Sequence, residues 1–415
     1  MSNIITDLQA RGLINNITNE EKIIKAISIN KGVYVGFDPS FDSLHLGNYI
    51  MIMLLRRFHQ AGFPTVAVIG GATGMIGDPS GKNKERNLLD KETLIKNIAA
   101  ITSQLETYAK SKVINNFDFY AQMNFLDFLR DVGKIININY LLEKDIIASR
   151  LSTGLSYTEF SYNLLQGYDF WQLYQNHNVA IQAGGSDQWG NITTGIEMIR
   201  KIFGDDNLAC GLTINLLVNK DGKKFGKSEK GAIFLSEKYT SVYEMYQFLF
   251  NQADEDVAKL LKSLTLLSIN EIDAIMQQHD TQKHLRFAQK KLAETVVRDI
   301  HGSEKLEQAI KITNALFNSK ITTLTLAELE MGVKNLDTTY ISKSNLSLVD
   351  VLISANIASS KRVARELINN QSITINDVKI IDENHIFDIS SYLYNKYLLI
   401  RKGKKHYFLV IYKNN

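Results

Sequence analysis

Two short stretches carry residue types suited to a polyphosphate. His45-Leu46-Gly47-Asn48 follows a strand-and-loop pattern and opens a helical one. A helix N-terminus offers unpaired backbone N–H groups and a positive dipole end, which suit a phosphate. His45 can donate to an oxygen on which charge develops, and glycine at 47 lets a ligand approach the backbone. A histidine that only caps its helix would read the same way. The second stretch is Lys224-Phe225-Gly226-Lys227-Ser228, a polar loop after Leu212–Val218. Two lysines three apart, with a hydroxyl beside the second, can surround a polyphosphate, and the glycine gives the loop freedom to close. With Lys220 and Lys223 nearby, a solvated basic turn is the plain alternative. In Gly184-Gly185-Ser186-Asp187-Gln188-Trp189-Gly190-Asn191 the glycine pair permits a tight strand-to-helix turn. Asp187 and Gln188 can then point into a ribose or amino-acid site. Tyr162, Gln166 and Asp169 are spaced i, i+4, i+7 and share one helix face. Their apolar, aromatic surroundings favour burial around a polar ligand over a solvated stripe.

These groups need a rigid frame. Gly32–Phe37 is short, β-branched and aromatic and reads as a buried strand, leading through Asp38-Pro39 to a helix from about Gly47 to Gln60. Thr65–Ile69 is a second strand, opening into the glycine-rich loop Gly70–Gly81; a helix over Lys91–Ser111 and a strand near Phe117–Tyr120 follow. Strands alternating with helices predict an α/β fold with a doubly wound parallel sheet, whose ligands sit beyond the carboxyl ends of the strands. Pro39 and Pro79 lie in those ligand loops, where fixed backbone angles suit a preformed site. After Phe234 the pattern turns helical over Val242–Phe250, Asp254–Leu264, Leu285–Asp299 and Glu304–Phe317. Ser319–Asn345 reads as a connector with a short helix at Leu324–Leu329. From Leu346 come two helix patterns, then strands at Ser372–Ile375, Tyr397–Arg401 and Tyr407–Tyr412. The expected division is a catalytic unit 1–235, a helical unit 236–320, a linker 321–345 and a small α+β unit 346–415.

Composition narrows the class. The 415 residues are 45% hydrophobic and 22% charged, ordinary for a globular chain of two or three domains. No apolar run is long enough to span a bilayer, and the first residues carry neither a signal-peptide core nor a transit pattern. The single cysteine, Cys210, excludes a disulfide framework and most cysteine-based metal sites. A soluble cytoplasmic protein is expected. Of the 47 basic and 44 acidic residues, 11 and 6 lie in 341–415, so positive charge collects at the C-terminal end. That distribution suits nucleic-acid contact and is equally compatible with a solvated basic surface.

Together, His45-Leu46-Gly47-Asn48 early and Lys224-Phe225-Gly226-Lys227-Ser228 late resemble the paired signatures of class I aminoacyl-tRNA synthetases, usually written His-Ile-Gly-His and Lys-Met-Ser-Lys-Ser. Leu46, Asn48, Phe225 and Gly226 depart from them in the way the bacterial tyrosyl enzymes do, and Gly184–Asn191 resembles that family's long central motif. Leu346–Val378 resembles a small RNA-binding module first known in a ribosomal small-subunit protein. The resemblance covers nearly the whole chain. It implies a Rossmann-like catalytic domain, a helical domain and a C-terminal RNA-binding domain, acting as a homodimer on L-tyrosine, ATP and tRNA(Tyr). Magnesium would arrive with ATP, with no protein metal cage.

The resemblance also implies roles. Tyr34 and Asp169 would hydrogen-bond the substrate phenol. Tyr162, Gln166 and Gln182 would hold its ammonium or carboxylate, with Asp78 supporting them. Asp38 would lie close to the ammonium and the adenylate ribose. Gly36, Gly47, Asn48, Gly185, Asp187 and Gln188 would frame the adenylate. Ser40, His45, Lys82, Arg86, Lys224, Lys227 and Ser228 would contact phosphates in the transition state. Serine at 40 keeps the hydroxyl of the threonine common in the family. Lys361, Arg362 and Arg365, at helical spacing, would meet RNA phosphates, helped by Arg401-Lys402-Gly403-Lys404-Lys405. Between Gly81 and Gln182 the chain is too short for a large editing domain; in the family that segment contributes to the dimer interface.

Overall fold

The structure, a computed structural model, describes residues 4–80, 89–151, 154–218, 225–228, 231–318, 320–342, 345–403 and 406–413, with the side chains of 145, 146, 149, 227 and 228 outside the description. The chain forms two compact units. One comprises Met1–Thr240 with Phe248–Val296, the other Ser241–Gln247 with Val297–Asn415.

The first unit is built on a six-stranded sheet. In chain order the framing elements are α1 (Ile4–Ala10), β1 (Ile14–Ile17), α2 (Glu20–Ser28), β2 (Gly32–Phe37), α3 (Leu46–Gln60), β3 (Thr65–Ile69), α4 (Lys91–Tyr108), β4 (Lys112–Asn115), α5 (Tyr157–Asn176), β5 (Val179–Gly185), α6 (Trp189–Phe203) and β6 (Cys210–Ile214). The strand order is β1-β6-β5-β2-β3-β4, with only β1 antiparallel to its neighbour. Strands β3, β5 and β6 are buried along their whole length, which explains their unbroken apolar runs: both faces of a parallel sheet are covered. One face packs Tyr34, Val66 and Val68 against Phe170 and Leu173 of α5 and Ile199 of α6. Each such apolar burial contributes about 1.5–3 kcal/mol. The chain adds β3 and β4 on one side of β2, then crosses to lay β5 on the other. That reversal is a topological switch point, and it opens a crevice at the strands' carboxyl ends.

The strand expected near Phe117–Tyr120 lies earlier, at Lys112–Asn115, where Val113 and Ile114 pair with Ala67 and Val68. Asn115 ends it: its side chain accepts from the Phe117 N–H (3.0 Å), starting a 3-10 turn over Asn116–Phe119. At the far end of α3, the buried Arg57 guanidinium donates to the carbonyls of Lys262 and Thr265, capping the helix Asp254–Leu264. Burial lowers the Arg57 pKa to about 9.

In the second unit a five-stranded sheet runs, by position, Val378–Lys379, Ile373–Ile375, Tyr397–Lys402, His406–Tyr412 and Asp337–Ile341. Leu348, Leu352, Ala364, Ile368, Leu398, Ile400 and Val410 form one core cluster. Ile312, Leu316, Leu324, Leu329, Leu399 and Leu409 form another. The stretch read as a linker, 321–345, thus holds a helix, Leu326–Val333, with a Thr325/Glu328 capping box, and an edge strand parallel to His406–Tyr412. Asp337–Ile341 is mostly exposed, so it has no buried alternation for a sequence reading to detect.

Candidate active site

His45 is the N-cap of α3. The Asn48 N–H donates to His45 Nδ1 (3.3 Å), and Asn48 Oδ1 accepts from the His45 N–H (3.1 Å), a reciprocal capping box. The capping alternative therefore holds, and it does not compete with anion chemistry. An imidazole that accepts at Nδ1 carries its hydrogen on Nε2, which leaves that atom a donor. Gly47 has a steric reason beside the expected one. A Cβ there would lie 2.8 Å from His45 Cε1 and 2.9 Å from Nδ1, so only glycine lets the ring fold over the helix start.

The second motif, the lysine-bearing one, lands on the same helix end. Gly226 adopts φ +86°, and a Cβ on it would come within 2.9 Å of the Gly47 nitrogen. The Ile233 N–H donates to the Gly226 carbonyl (2.8 Å), and the Leu46 N–H to the Ile233 carbonyl (2.9 Å). Glycine is required here for its left-handed backbone and for the contact. Lys227 and Ser228 form a two-residue strand paired with Gly231–Ala232. Lys82, Arg86 and Lys224 lie outside the described residues.

A cleft of about 450 Å³ sits at the switch point. It is lined by Tyr34, Gly36, Asp38, Ser40, His45, Gly47, Asn48, Asp78, Tyr162, Gln166, Asp169, Gln182, Gly185, Asp187 and Gln188, so the core candidates whose side chains are described converge on it. Strand register sets Tyr34 beside Gln182. Gly36 is exposed, with nothing within 4 Å of an added Cβ, which leaves open floor for a flat ligand. Gly185 makes room for Asp187, whose Oδ1 would lie 2.8 Å from a Cβ there.

At one end the Asp169 carboxylate accepts from Asn116 Nδ2 (2.8 Å) and the Tyr120 hydroxyl (2.8 Å). Burial pushes its pKa up to about 7, against the downward pull of those two bonds. Burial first, and the Asp169 charge second, keep the Tyr34 hydroxyl protonated. Among the described residues nothing hydrogen-bonds the buried Tyr34 hydroxyl, nor Oε1 of Gln166 or Gln182. Buried polar atoms are nearly always paired, so three orphans on residues lining one cleft suit a polar ligand with complementary groups. A buried hydroxyl beside a buried carboxylate matches a phenol, which can accept from one and donate to the other. Towards the middle, Asp78 accepts from Gln188 Nε2 (2.7 Å) and the Ser80 N–H (2.9 Å), while Gln188 Oε1 accepts from Gln166 Nε2 (3.3 Å). This chain of bonds fixes the amide orientations beside the cleft.

The sequence reading missed Asn116 and Tyr120, which orient Asp169. Asn116 also donates to Thr73 Oγ1 (3.0 Å) and accepts from the Ala72 N–H (2.8 Å), tying two loops together. Ending the strand at Asn115 would have been the one clue, because it puts Asn116 at a carboxyl end. In the second unit, Lys361, Arg362 and Arg365 are exposed on the helix Lys361–Asn369, capped by Ser360. Arg365 also makes an exposed ion pair with Glu383 (3.1 Å).

A doubly wound sheet whose switch point joins a histidine-capped helix to a lysine-bearing loop defines the class I aminoacyl-tRNA synthetases. In agreement, a sequence model of class I tRNA synthetases (W and Y) matches residues 30–318, and one of the tyrosine–tRNA ligase C-terminal domain matches 328–410. The second match begins before the edge strand Asp337–Ile341, in keeping with that strand's place in the sheet. A tyrosine–tRNA ligase of Ureaplasma parvum serovar 3 is 64% identical over 100% of both chains, and one of Listeria monocytogenes is 47% identical over 99% of this chain and 100% of its own. Among solved structures, a C-terminally truncated mitochondrial tyrosyl-tRNA synthetase of Aspergillus nidulans superposes with a TM-score of 0.69 at 28% identity, covering 76% of this chain and 95% of that one. The chain belongs to the tyrosine–tRNA ligase family.

Proposed function

We propose that this protein activates L-tyrosine with ATP, releasing pyrophosphate, and transfers tyrosine from the adenylate to the 3′ end of tRNA(Tyr). The observation that carries this reading is the packing of Gly226 on the Gly47 nitrogen, which joins the two phosphate motifs at the mouth of a cleft ending in Tyr34 and Asp169. The tyrosine carboxylate attacks the α-phosphorus and expels pyrophosphate, and the tRNA ribose hydroxyl later attacks the carbonyl carbon of the adenylate and expels AMP. No covalent nucleophile on the protein is needed. Catalysis rests on alignment and on donors aimed at charge developing on phosphate oxygens. His45 Nε2, Ser40, Lys82, Arg86, Lys224, Lys227 and Ser228 supply those donors, with Mg²⁺ carried by ATP. Gly36, Gly47, Asn48, Asp38, Gly185, Asp187 and Gln188 frame the nucleotide. Tyr162, Gln166 and Gln182, backed by Asp78, hold the amino acid's charged end.

Two further parts belong to this reading. Lys361, Arg362 and Arg365 contact tRNA phosphates, a sequence-independent term that weakens as salt rises. The enzyme acts as a cytoplasmic homodimer. Exposed Phe125, Leu126, Ile138, Leu151 and Tyr157 give the segment between 125 and 157 an apolar surface suited to a second copy. Among the described residues no helix is long and apolar enough to cross a membrane.

Amino-acid-dependent ATP–pyrophosphate exchange tests the central claim. Tyrosine is expected to support exchange, and tryptophan and phenylalanine to give only background. Exchange driven by tryptophan, or tRNA binding with no exchange at all, would overturn it. A pH series tests the phenol end. Asp169 titrates near 7 in the folded protein against an ordinary value of 3.8, so it is neutral below that pH and a carboxylate above it. The phenol donates to the carboxylate, so tyrosine affinity is expected to rise as pH climbs through about 7 and to level off above it. In Asp169→Asn the profile should be flat. Folding shifts the opposite way: the unfolded chain ionises first, so this group's contribution to stability, complete below about pH 4, is lost as pH rises towards 7.

A further inference from the structure

Just outside the cleft, the turn before α3 is fastened to the chain that leaves the phosphate loop. Asp42 lies two residues after Ser40 and three before His45. Its Oδ1 accepts from the Tyr239 hydroxyl, 197 residues away in sequence, and its Oδ2 from Lys238 Nζ (2.8 Å). Lys96 Nζ from α4 approaches the same oxygen at 3.9 Å. The hydrogen bonds from Lys238 and Tyr239 hold the Asp42 carboxyl below the usual carboxylate range.

Aromatic rings close over this acid. Phe41 stacks on Phe234 with centroids 4.8 Å apart and planes at 30°. Tyr239 tilts against both, at 4.9 Å from Phe41 and 5.2 Å from Phe234. Beneath the rings the backbones are paired. His45 bridges Phe234, the Leu235 N–H donates to the Leu44 carbonyl (2.8 Å), and the Ser236 N–H donates to Ser43 Oγ (3.3 Å). The exit of the loop carrying Lys227 is therefore fixed to the turn carrying Ser40 and His45. Phe41 itself lines the cleft, though it is 43% exposed.

We propose that Asp42, Tyr239 and Phe41 are positioning residues for adenylate formation: they lock the exit of the phosphate loop to the Ser40–His45 turn, so that donors from both segments meet the same phosphate oxygens. Asp42 and Tyr239 are not among the residues that line the cleft, and Phe41 lines it with an apolar ring that has no proton or charge to offer. Their effect passes through the backbone of the loop, and it rests on the phosphate-loop reading given above. A lock of this kind matters most where the loop's donors bind most tightly, in the transition state, so its loss falls on kcat rather than on substrate affinity.

Tyr239→Phe isolates the lock, because it removes one hydroxyl while the ring stack stays. In ATP–pyrophosphate exchange on the full chain, it and Asp42→Asn are each expected to lower kcat about tenfold, the low end of what one hydrogen bond to a charged group contributes. KM for tyrosine and the melting temperature should stay near wild type. The double variant is expected to be no slower than the worse single one, since the two groups act as one contact. Lys238→Met, which keeps the Tyr239–Asp42 bond, should cost less than either. A kcat unchanged in Tyr239→Phe, a loss in KM for tyrosine instead, or rate losses that multiply in the double variant would each overturn the proposal. Failure of the underlying reading is distinct: wild-type protein would then show no tyrosine-dependent exchange.

Discussion

Asp169→Ala is expected to reduce the preference for tyrosine over phenylalanine by about 10²-fold, with kcat/KM for tyrosine taking nearly all of the loss. Members of this family reject phenylalanine by about 10⁴–10⁵ without editing, a figure characteristic of the family as a whole. The geometry supplies the reason. With phenylalanine bound, the Tyr34 hydroxyl would stay buried without a partner and Asp169 would lose its ligand donor. A missing bond to a charged group costs about 1.5–3 kcal/mol. The alanine variant should still fold. Tyr120 keeps the Leu165 carbonyl (2.9 Å) as an acceptor, and Asn116 keeps Thr73 (3.0 Å). It also removes a carboxylate whose burial opposes ionisation, so at pH 8 the melting temperature should not fall greatly. Exchange rates with both amino acids, set beside thermal melts, check this. Unchanged discrimination in a folded variant would remove Asp169 from the phenol site.

Lys227→Ala is expected to slow tyrosine activation by about 10²–10³, the usual effect of losing one preorganised donor to a charged transition state. Tyrosine binding should hardly change. Tyr34, Gln166, Asp169 and Gln182, which line the far part of the cleft, come from β2, α5 and β5, whereas residue 227 follows Gly226 at the start of α3. Single-turnover adenylate formation with saturating tyrosine, alongside equilibrium tyrosine binding, separates the two. Activation at the wild-type rate would place the positive charge that stabilises the phosphates elsewhere. A parallel loss of tyrosine affinity would mean the loop shapes the amino-acid pocket instead. Gly226→Ala offers a backbone counterpart. Its φ of +86° and the 2.9 Å approach to the Gly47 nitrogen leave no room for a methyl group, so it should slow activation even with both lysines present.

Much of this was legible in residue order. The strand–helix alternation from Gly32 to Gln60 and the helices Val242–Phe250 and Asp254–Leu264 follow from local periodicity, which the chain satisfies without distant help. The spacing of Tyr162, Gln166 and Asp169 needed only the pitch of a helix to share a face. Motif composition, with the family resemblance, was enough to pick out many of the residues that line the cleft, though not Asn116.

Contacts between distant segments were not legible. Asn116 and Tyr120 look ordinary in sequence and matter because a 3-10 turn brings them to Asp169, which α5 supplies. Gly47 reads as room for a ligand, yet its nearest constraint is the His45 ring, a matter of rotamer and cap rather than residue type. The edge strand Asp337–Ile341 exists because His406–Tyr412 offers a parallel partner, and an exposed strand carries no periodic signal of its own. Residue order determined which chemistry the chain carries and the local elements that bear it. Only the tertiary structure decided which donors share an acceptor, because a hydrogen bond depends on distance in space, and segments as far apart as Asp42 and Tyr239 meet only when the sheet and its loops are closed.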